Sequence, residues 1–460
     1  MSRFPGFLVA GTHSGAGKTT VSFTLMTLLA QKGLAVQPFK IGPDFIDGGY
    51  HRLATGRDSV NLDLWMMGWK GIRESFARYA GTADISVLEG MGALFDGKNG
   101  TPSGSSAEVA KRLGIPVLLV MDIWGMTVTT GALLEGLLAF DRKVSLAGVI
   151  LNRAGSRGHF EMVLKSLKPS LRKKVLGYLP RSRELEIPER HLGLKTLEEN
   201  KNARGMKEVV VKTASQTIDL GKLTHLFKVR KGRGGVKSGL PKNRPRILLG
   251  IAKDEAFCFY YAENLRMLEE AGAKLIPFSP LTDRKLPDGL AGLYLGGGYP
   301  ESFPEKLSSN QGLKAEILRK IKSGMPVYAE CGGMMYLGKS LTGFNGKSYS
   351  MVGAVPARTR MDRNFLAIRY VKVKTARETV LGPKGTEAHG QEFHQSRIAG
   401  GGFPGAKPYR VADSVGRKSR EGFASDNLLA SYIHLHFKSN PSVPAAFLRK
   451  CRVYESKVRS

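Results

Sequence analysis

An unbroken apolar run, Phe7-Leu8-Val9-Ala10, lies near the start of the chain, and the period then changes. Beyond Lys18, apolar Val21, Leu25, Leu28 and Leu29 recur at helical spacing, which predicts a helix with one buried face. Ile85-Ser86-Val87-Leu88, Val117-Leu118-Leu119-Val120-Met121 and Ala147-Gly148-Val149-Ile150-Leu151 are again continuous and rich in branched residues. Bounded by Gly, Pro or Asp, such runs read as strands of a parallel sheet covered on both faces. Helical patterns between them make the first half an α/β domain. The pattern breaks around 222–246, where Lys228 to Arg246 carries eight basic residues, no acidic residue, and several glycines and prolines. That composition reads as an exposed linker. A second α/β unit starts at Ile247-Leu248-Leu249-Gly250-Ile251. It runs through a helix (Ala262 to Ala271) and strands at Leu275-Ile276-Pro277, Gly292-Leu293-Tyr294-Leu295 and Pro326-Val327-Tyr328-Ala329. The expected fold class is therefore α/β: a parallel-sheet domain over 1–221, a basic linker over 222–245, and a second α/β domain over 246–460.

Composition narrows this picture. The 460 residues suit two or three domains at ~150 residues each. With 42% hydrophobic and 24% charged residues, a mainly disordered chain is excluded. No run of about 18 apolar residues occurs, so no transmembrane helix and no membrane partner are expected. Met1-Ser2-Arg3-Phe4-Pro5 does not read as a signal peptide, and a cytoplasmic location is expected. Cys258, Cys331 and Cys451 are too few and too far apart for a disulfide framework or a CxxC zinc site. Seventy Lys and Arg against 39 Asp and Glu give a net charge of +31. The excess concentrates between Arg153 and Arg246, with 24 basic and 8 acidic residues. A basic balance favours polyanionic partners. It is not gathered into a recognisable nucleic-acid motif, so nucleic acid is not expected as a partner.

Chemistry enters after the first strand, at Gly11-Thr12-His13-Ser14-Gly15-Ala16-Gly17-Lys18-Thr19-Thr20. Glycines let backbone N–H groups turn toward phosphate oxygens, Lys18 reaches the β- and γ-phosphates, and the Thr19 hydroxyl suits Mg²⁺. The helix that follows adds its positive end. The strict P-loop spacing would put Gly at Thr12, and here the glycine stands one position earlier. ATP binding is expected at Gly15, Gly17, Lys18, Thr19 and Thr20. Two acidic segments follow, Lys40-Ile41-Gly42-Pro43-Asp44-Phe45-Ile46-Asp47 and Leu88-Glu89-Gly90, the latter directly after a strand, where α/β sheets bind ligands. Magnesium needs few protein ligands, and Thr19, Asp44 and Glu89 are the expected set. The loop's local form resembles dethiobiotin synthetase, and His13 stands where partition ATPases of that superfamily carry an extra lysine.

A second site is signalled by Ala329-Glu330-Cys331-Gly332-Gly333-Met334, small residues around one nucleophile between a strand and a helix pattern. This is the geometry of a nucleophile elbow, and a helix N-terminus is expected to lower the thiol's pKa. Cys258 and Cys451 lack such a turn. Tyr432-Ile433-His434-Leu435-His436-Phe437 alternates as a strand that puts both histidines on one face. Gly296-Gly297-Gly298 can offer N–H groups to an oxyanion. Together these groups suggest amide hydrolysis through a thioester.

These residues, in this order, resemble the cobyrinic acid a,c-diamide synthase family nearly end to end. The first half carries the phosphate loop, Gly42 to Asp47, His51, Gly56-Arg57, Asn61-Leu62-Asp63, Glu89-Gly90, Phe95-Asp96-Gly97, Gly104-Ser105-Ser106-Ala107-Glu108 and Asn152-Arg153. The second carries Asp254-Glu255-Ala256-Phe257, Phe259-Tyr260-Tyr261, Asn264, Gly296 to Glu301, Glu330-Cys331-Gly332-Gly333 and Tyr432-Ile433-His434. The resemblance implies a P-loop ATPase domain fused to a class I glutamine amidotransferase-like domain. It implies amidation of the a and c acetates of a tetrapyrrole polycarboxylate, with ATP, Mg²⁺ and glutamine, and a homodimer is compatible with it. It further implies Cys331 and His434 as catalytic and Gly297, Gly298 and Gly332 around glutamine. Asn152 falls with ATP, and Asp47, Asp96, Glu392 and His394 with the macrocycle. The chain departs from the family pattern at Glu89-Gly90-Met91-Gly92-Ala93 and at Gly390-Gln391-Glu392-Phe393-His394-Gln395-Ser396. His436 stands where ordinary class I enzymes carry a carboxylate, a residue that the corrinoid branch also lacks. The alternatives are a nickel-sirohydrochlorin a,c-diamide synthase and, from another class, a basic P-loop ATPase acting on nucleic acid. The latter leaves Cys331 and His434 without a task.

Overall fold

The computed structural model describes residues 4–187, 203–229, 232, 247–400, 402, 403, 405 and 407–459. They divide into two units, Met1–Leu64 with Trp69–Ser238 and Trp65–Gly68 with Gly239–Ser460.

The first unit is built on strands β1 (Gly6–Gly11), β2 (Val36–Ile41), β3 (Val60–Leu62), β4 (Ile85–Ala93), β5 (Val117–Asp122), β6 (Leu146–Ala154) and β7 (Val175–Pro180). They form one sheet in the order β3-β2-β4-β1-β5-β6-β7, with every pairing parallel. Leu8, Val9, Leu118, Leu119, Val149 and Ile150 have no exposure, as expected for strands covered on both faces. The order reverses around β1, so the loop after β1 opens at a switch point where such sheets bind ligands. Helix α1 (Lys18–Gln31) was expected to bury one face, yet every residue from Val21 to Leu29 is buried. It packs on its own sheet, on α2 (Ile46–Thr55) and on the helix Ala203–Ala214, so no side is left for water. The segment expected to begin the linker is instead the helix Leu220–Leu226 and the turn after it. Leu223 and Phe227 are buried, the latter stacked on Phe7 at 4.4 Å. Most of the expected linker lies outside the described residues.

The second unit contains β8 (Ile247–Ala252), β9 (Ala273–Phe278), β10 (Gly292–Leu295), β11 (Val327–Glu330), β12 (Ser340–Thr342), β13 (Ser348–Ser350), β14 (Arg358–Met361) and β15 (Ala367–Thr375). It continues with β16 (Glu387–His394), β17 (Ser396–Ile398), β18 (Tyr409–Asp413), β19 (Lys418–Glu421), β20 (Phe423–Ala424), β21 (Leu428–Ser431) and β22 (His434–His436). The central sheet runs β20-β21-β11-β10-β8-β9, parallel except at the β20 edge. Leu293, Leu295, Val327 and Ala329 enter one core, and Tyr294 and Tyr328 enter the other. This is the period-two alternation of a strand covered on both faces. The sequence reading did not separate out two further sheets, β13-β12-β14-β17 and β19-β18-β15-β16-β22. In the latter every pairing is antiparallel, and β22, with its two histidines, is an edge strand. Among the described residues, no helix is long and apolar enough to cross a membrane.

Candidate functional site

In the first unit the loop between β1 and α1 is shaped by Gly15 and Gly17, both at positive φ, 85° and 89°. A side chain at Gly17 would also overlap the Asn152 amide, which donates from Nδ2 to the Ala16 carbonyl at 2.9 Å. Arg153 donates to the Gly15 carbonyl at 3.0 Å and to Asp122 at 2.7 Å. The two residues at the end of β6 therefore hold the loop open. Asn152, expected among the ATP ligands, acts here on the loop backbone. Lys18 is buried at the helix start with Nζ 3.5 Å from the His13 carbonyl. Burial, and then the Lys40 charge, lower its pKa. Thr20 lies in the first turn of α1, half-buried.

The Thr19 hydroxyl donates toward Glu89 Oε1 at 2.8 Å and Asp47 Oδ1 at 3.1 Å. Asp47 arrives there on the first turn of α2, and Glu89 arrives along β4. Asp44, expected at the metal, spends Oδ1 on the Ile46 N–H at 2.7 Å, at the start of α2. Asp47, expected at the macrocycle, is the carboxylate brought to Thr19. Two groups were missed as participants. Lys40 Nζ lies 2.5 Å from Asp47 Oδ2 and 3.1 Å from Glu89 Oε1, and donates to the Gly90 carbonyl at 3.2 Å. His51 joins Glu89 Oε2 through Nε2 at 2.8 Å and Ser59 through Nδ1 at 2.9 Å. A lysine placed inside a strand is the signal that could have found the first.

Burial works against the Lys40 charge, yet the Asp47 and Glu89 carboxylates outweigh it and hold its pKa raised. Burial and the neighbouring Glu89 push Asp47 up to about 7. Glu89 also pays for burial, but Lys40 and His51 bring it below the usual carboxylate range. One hydroxyl and two carboxylates converging on one point are hard oxygen donors that fit Mg²⁺. Asp96, on the loop after β4, is exposed.

In the second unit Cys331 stands between β11 and the helix Gly332–Leu337, with φ 44° and ψ −104°. A non-glycine residue held at positive φ costs about 1–3 kcal/mol, and the corner is pinned by Cys331 N–H on the Ser431 carbonyl at 2.7 Å. The residue is buried, with 5% of its surface exposed. Burial, and then Glu301, push its pKa up. The expected lowering at a helix end is outweighed, because the six-residue helix offers little against desolvation.

A side chain on Gly297 would overlap the His434 ring. The Gly297 carbonyl accepts the Phe259 N–H at 3.1 Å. In a trans peptide the next N–H points the other way, and Gly298 N lies 3.0 Å from where a Cβ of Gly332 would stand. The elbow, the glycine run and His434 are thus one site. Asn264 clamps the histidine strand, donating to the Leu435 carbonyl and accepting the Phe437 N–H, both at 2.7 Å. Burial lowers His434 to about 3, so its imidazole is neutral. His436 is lowered by burial to about 4, packs against Tyr261, and accepts the Lys438 N–H on Nδ1 at 3.3 Å.

Glu392 and His394, expected at the macrocycle, flank this same site. Cys331 Sγ lies 3.9 Å from the Phe393 carbonyl between them. Glu392 bonds His394 Nε2 at 2.9 Å and Arg369 Nε at 2.7 Å, and the His394 ring stacks on Tyr432 at 3.6 Å.

Comparison with known proteins covers both units. Residues 7–194 match the CobQ/CobB/MinD/ParA nucleotide binding domain family, and residues 249–442 match the CobB/CobQ-like glutamine amidotransferase domain family. Cobyrinate a,c-diamide synthase from Caldanaerobacter subterraneus is 42% identical over 453 residues, covering 98% of this chain and 99% of that protein. The enzyme of that name from Picrophilus torridus is 40% identical over 449 residues, covering 96% of this chain and 98% of its own. The one from Dehalococcoides mccartyi strain CBDB1 is 38% identical over 460 residues, covering 97% and 98%.

Proposed function

Since this chain belongs to the cobyrinate a,c-diamide synthase family, we propose that it amidates the a and c acetates of cobyrinic acid with ATP and glutamine. The observation that carries the reading is Cys331, held at positive φ on a strand-to-helix corner, together with a glycine run that packs at Gly298 on the residue after Cys331 and at Gly297 on the ring of a buried, neutral His434. A thiol forced into that backbone and set next to a base suits acyl transfer.

At the second site the Cys331 thiol gives its proton to His434 and its sulfur attacks the glutamine carboxamide. The Gly298 and Gly332 N–H groups face the oxygen that gains charge. His434 returns the proton to the departing ammonia, and water then cleaves the thioester to glutamate. At the first site a macrocycle carboxylate attacks the γ-phosphate of ATP, releasing ADP and leaving an acyl phosphate. Ammonia attacks that carbonyl and phosphate departs. Activation is needed because hydroxide is a poor leaving group. Lys18 and the loop N–H groups neutralise the phosphates. Thr19, Asp47 and Glu89 would hold Mg²⁺, with Asp44 nearby in the same acidic segment; the ion would supply positive charge to the phosphate oxygens. Lys40 sets the spacing of the two carboxylates. Asp96, exposed beyond β4, is assigned to the macrocycle.

Incubation with ATP, Mg²⁺ and glutamine, offering cobyrinic acid and nickel-sirohydrochlorin separately, tests the reading. Each amidation replaces a hydroxyl by an amino group and is visible by mass. Two amidations of cobyrinic acid are expected. Turnover of the nickel compound alone would reassign the substrate, and ATP hydrolysis stimulated only by DNA or RNA would overturn the ligase.

A further inference from the structure

Relatives with a full triad carry a carboxylate two residues after the histidine, and here that position is His436. His436 turns its Nδ1 to the Lys438 N–H, so it is engaged with the next turn of chain. The Glu392 carboxylate acts on His434 through its charge, and a second carboxylate reaches its Nδ1 from the strand that carries the elbow. Glu330 Oε2 is 3.9 Å from His434 Nδ1, with both side chains 2% exposed. We propose that Glu330 is the positioning residue for His434, holding its Nδ1–H side so that Nε2 is the nitrogen that takes the thiol proton. The proposal rests on the reading of Cys331 and His434 as the glutaminase pair.

The strand explains the placement. Side chains two apart share a face, so Glu330 follows Tyr328 into the core that Tyr294 also enters. Glu330 Oε1 accepts the Tyr328 hydroxyl at 2.5 Å and the Leu435 N–H at 2.9 Å, and Oε2 accepts the Tyr294 hydroxyl at 2.8 Å. Three donors lock the carboxylate, and one of them is the peptide N–H next along the chain from His434. A carboxylate oxygen accepts more than one hydrogen bond, so Oε2 can also take the imidazole N–H. Catalytic hydrogen bonds in a free enzyme are often long and tighten around substrate, and a shift under ~1 Å closes this one. Burial raises Glu330 to about 7, so an ionised form is within reach at neutral pH. An imidazolium forming at His434 would favour that form further.

Ammonia release from glutamine by the full chain, followed against glutamine concentration, tests this. Glu330→Gln should lower kcat by at least about tenfold, with KM for glutamine held within about threefold. Glu330→Asp, which keeps the charge, should recover part of the loss. A Glu330→Gln kcat within about threefold of the parent overturns the proposal, as does a change confined to KM. If Glu330→Gln does not fold, Tyr294→Phe removes one donor to Oε2 and keeps the ring. It should lower kcat at unchanged KM, and an unchanged kcat there is equally fatal. Cys331→Ala separates the layers. If it still releases ammonia, the thiol reading falls and Glu330 with it; if it is inactive while Glu330→Gln is normal, only Glu330 falls.

Discussion

Around Thr19 a chain of contacts joins charged groups: Asp47 and Glu89 both accept from the Thr19 hydroxyl and both pair with the Lys40 ammonium, and the His51 imidazole bonds Glu89. Around Cys331 burial is the largest cause of every shift: it raises the thiol and Glu330 and lowers His434, while the Glu392–Arg369 ion pair flanks the site. On the proposed reading the difference follows the substrates. A site for a polyphosphate and a divalent ion would present opposite charges before either arrives, and buried ions survive only when paired. A site where a neutral carboxamide reacts gains little from standing charge at the reacting atoms. It needs one proton moved at the moment of attack, from groups whose charged forms appear only then.

The sharpest break between the two regions should come from Cys331→Ala. Glutamine-dependent synthesis should fall by about 10⁴-fold or more, while synthesis with excess ammonium persists. Equal loss with ammonium would show that the sites are not divided by task. Lys18→Ala should remove synthesis with either nitrogen source by at least ~10², and leave ammonia release from glutamine measurable. Near-native synthesis in that variant would take the phosphate loop out of the reaction.

Within the second site, His434→Ala should lower the glutaminase kcat by at least about 10², and His436→Ala by much less. The reverse ranking would move the base to His436. Within the first, Asp47→Asn should raise the Mg²⁺ concentration needed for half-maximal synthesis more than Asp44→Asn does, because Asp47 is the carboxylate on the Thr19 hydroxyl. Equal shifts would place both at the ion.

The smallest effect concerns stability. His434 and His436, lowered to about 3 and about 4, contribute stability that is present above ~6.5 and lost as pH falls through those values. Asp47, Glu330 and Glu421, all raised to about 7, contribute stability that is full below ~4 and lost as pH rises through 7. From ~4.3 to ~6.5 the three acids outweigh the two histidines by one group, so the melting temperature should decline gently as pH rises there and fall on the acid side as the histidines titrate. His436→Gln should make the acid fall shallower. An unchanged fall would show that His436 does not titrate with unfolding.

The apolar runs at 7–10, 85–88, 117–121 and 147–151 announced a parallel sheet, because a strand covered on both faces has no polar positions to interrupt it. Gly-rich turns after strands announced the phosphate loop and the elbow, because backbone that must approach a ligand or bend sharply excludes most side chains. These are local constraints, legible from neighbouring residues. The mixed and the antiparallel sheet of the second unit were not, since strands such as β12, β13, β14 and β17 are three or four residues long, too short to show an alternation. Pairings such as Tyr370 with Gln391 and Val371 with Asp413 join residues far apart in the chain.

The sequence by itself determined the two α/β units, the nucleotide loop, the thiol and the family to which they belong. Only the tertiary structure decided which charged residue stands beside which candidate group. Asp44 and Asp47 are three positions apart in one acidic segment, and it is the first turn of α2 that sends one to the backbone and the other to Thr19. Glu330 and His434 are separated by more than a hundred residues and meet because β11 and the chain leading from β21 into β22 run side by side. Spacing along a chain reports what one element can hold; which carboxylate stands next to which base is set by how elements pair, and by the cost of burying a charge that nothing answers.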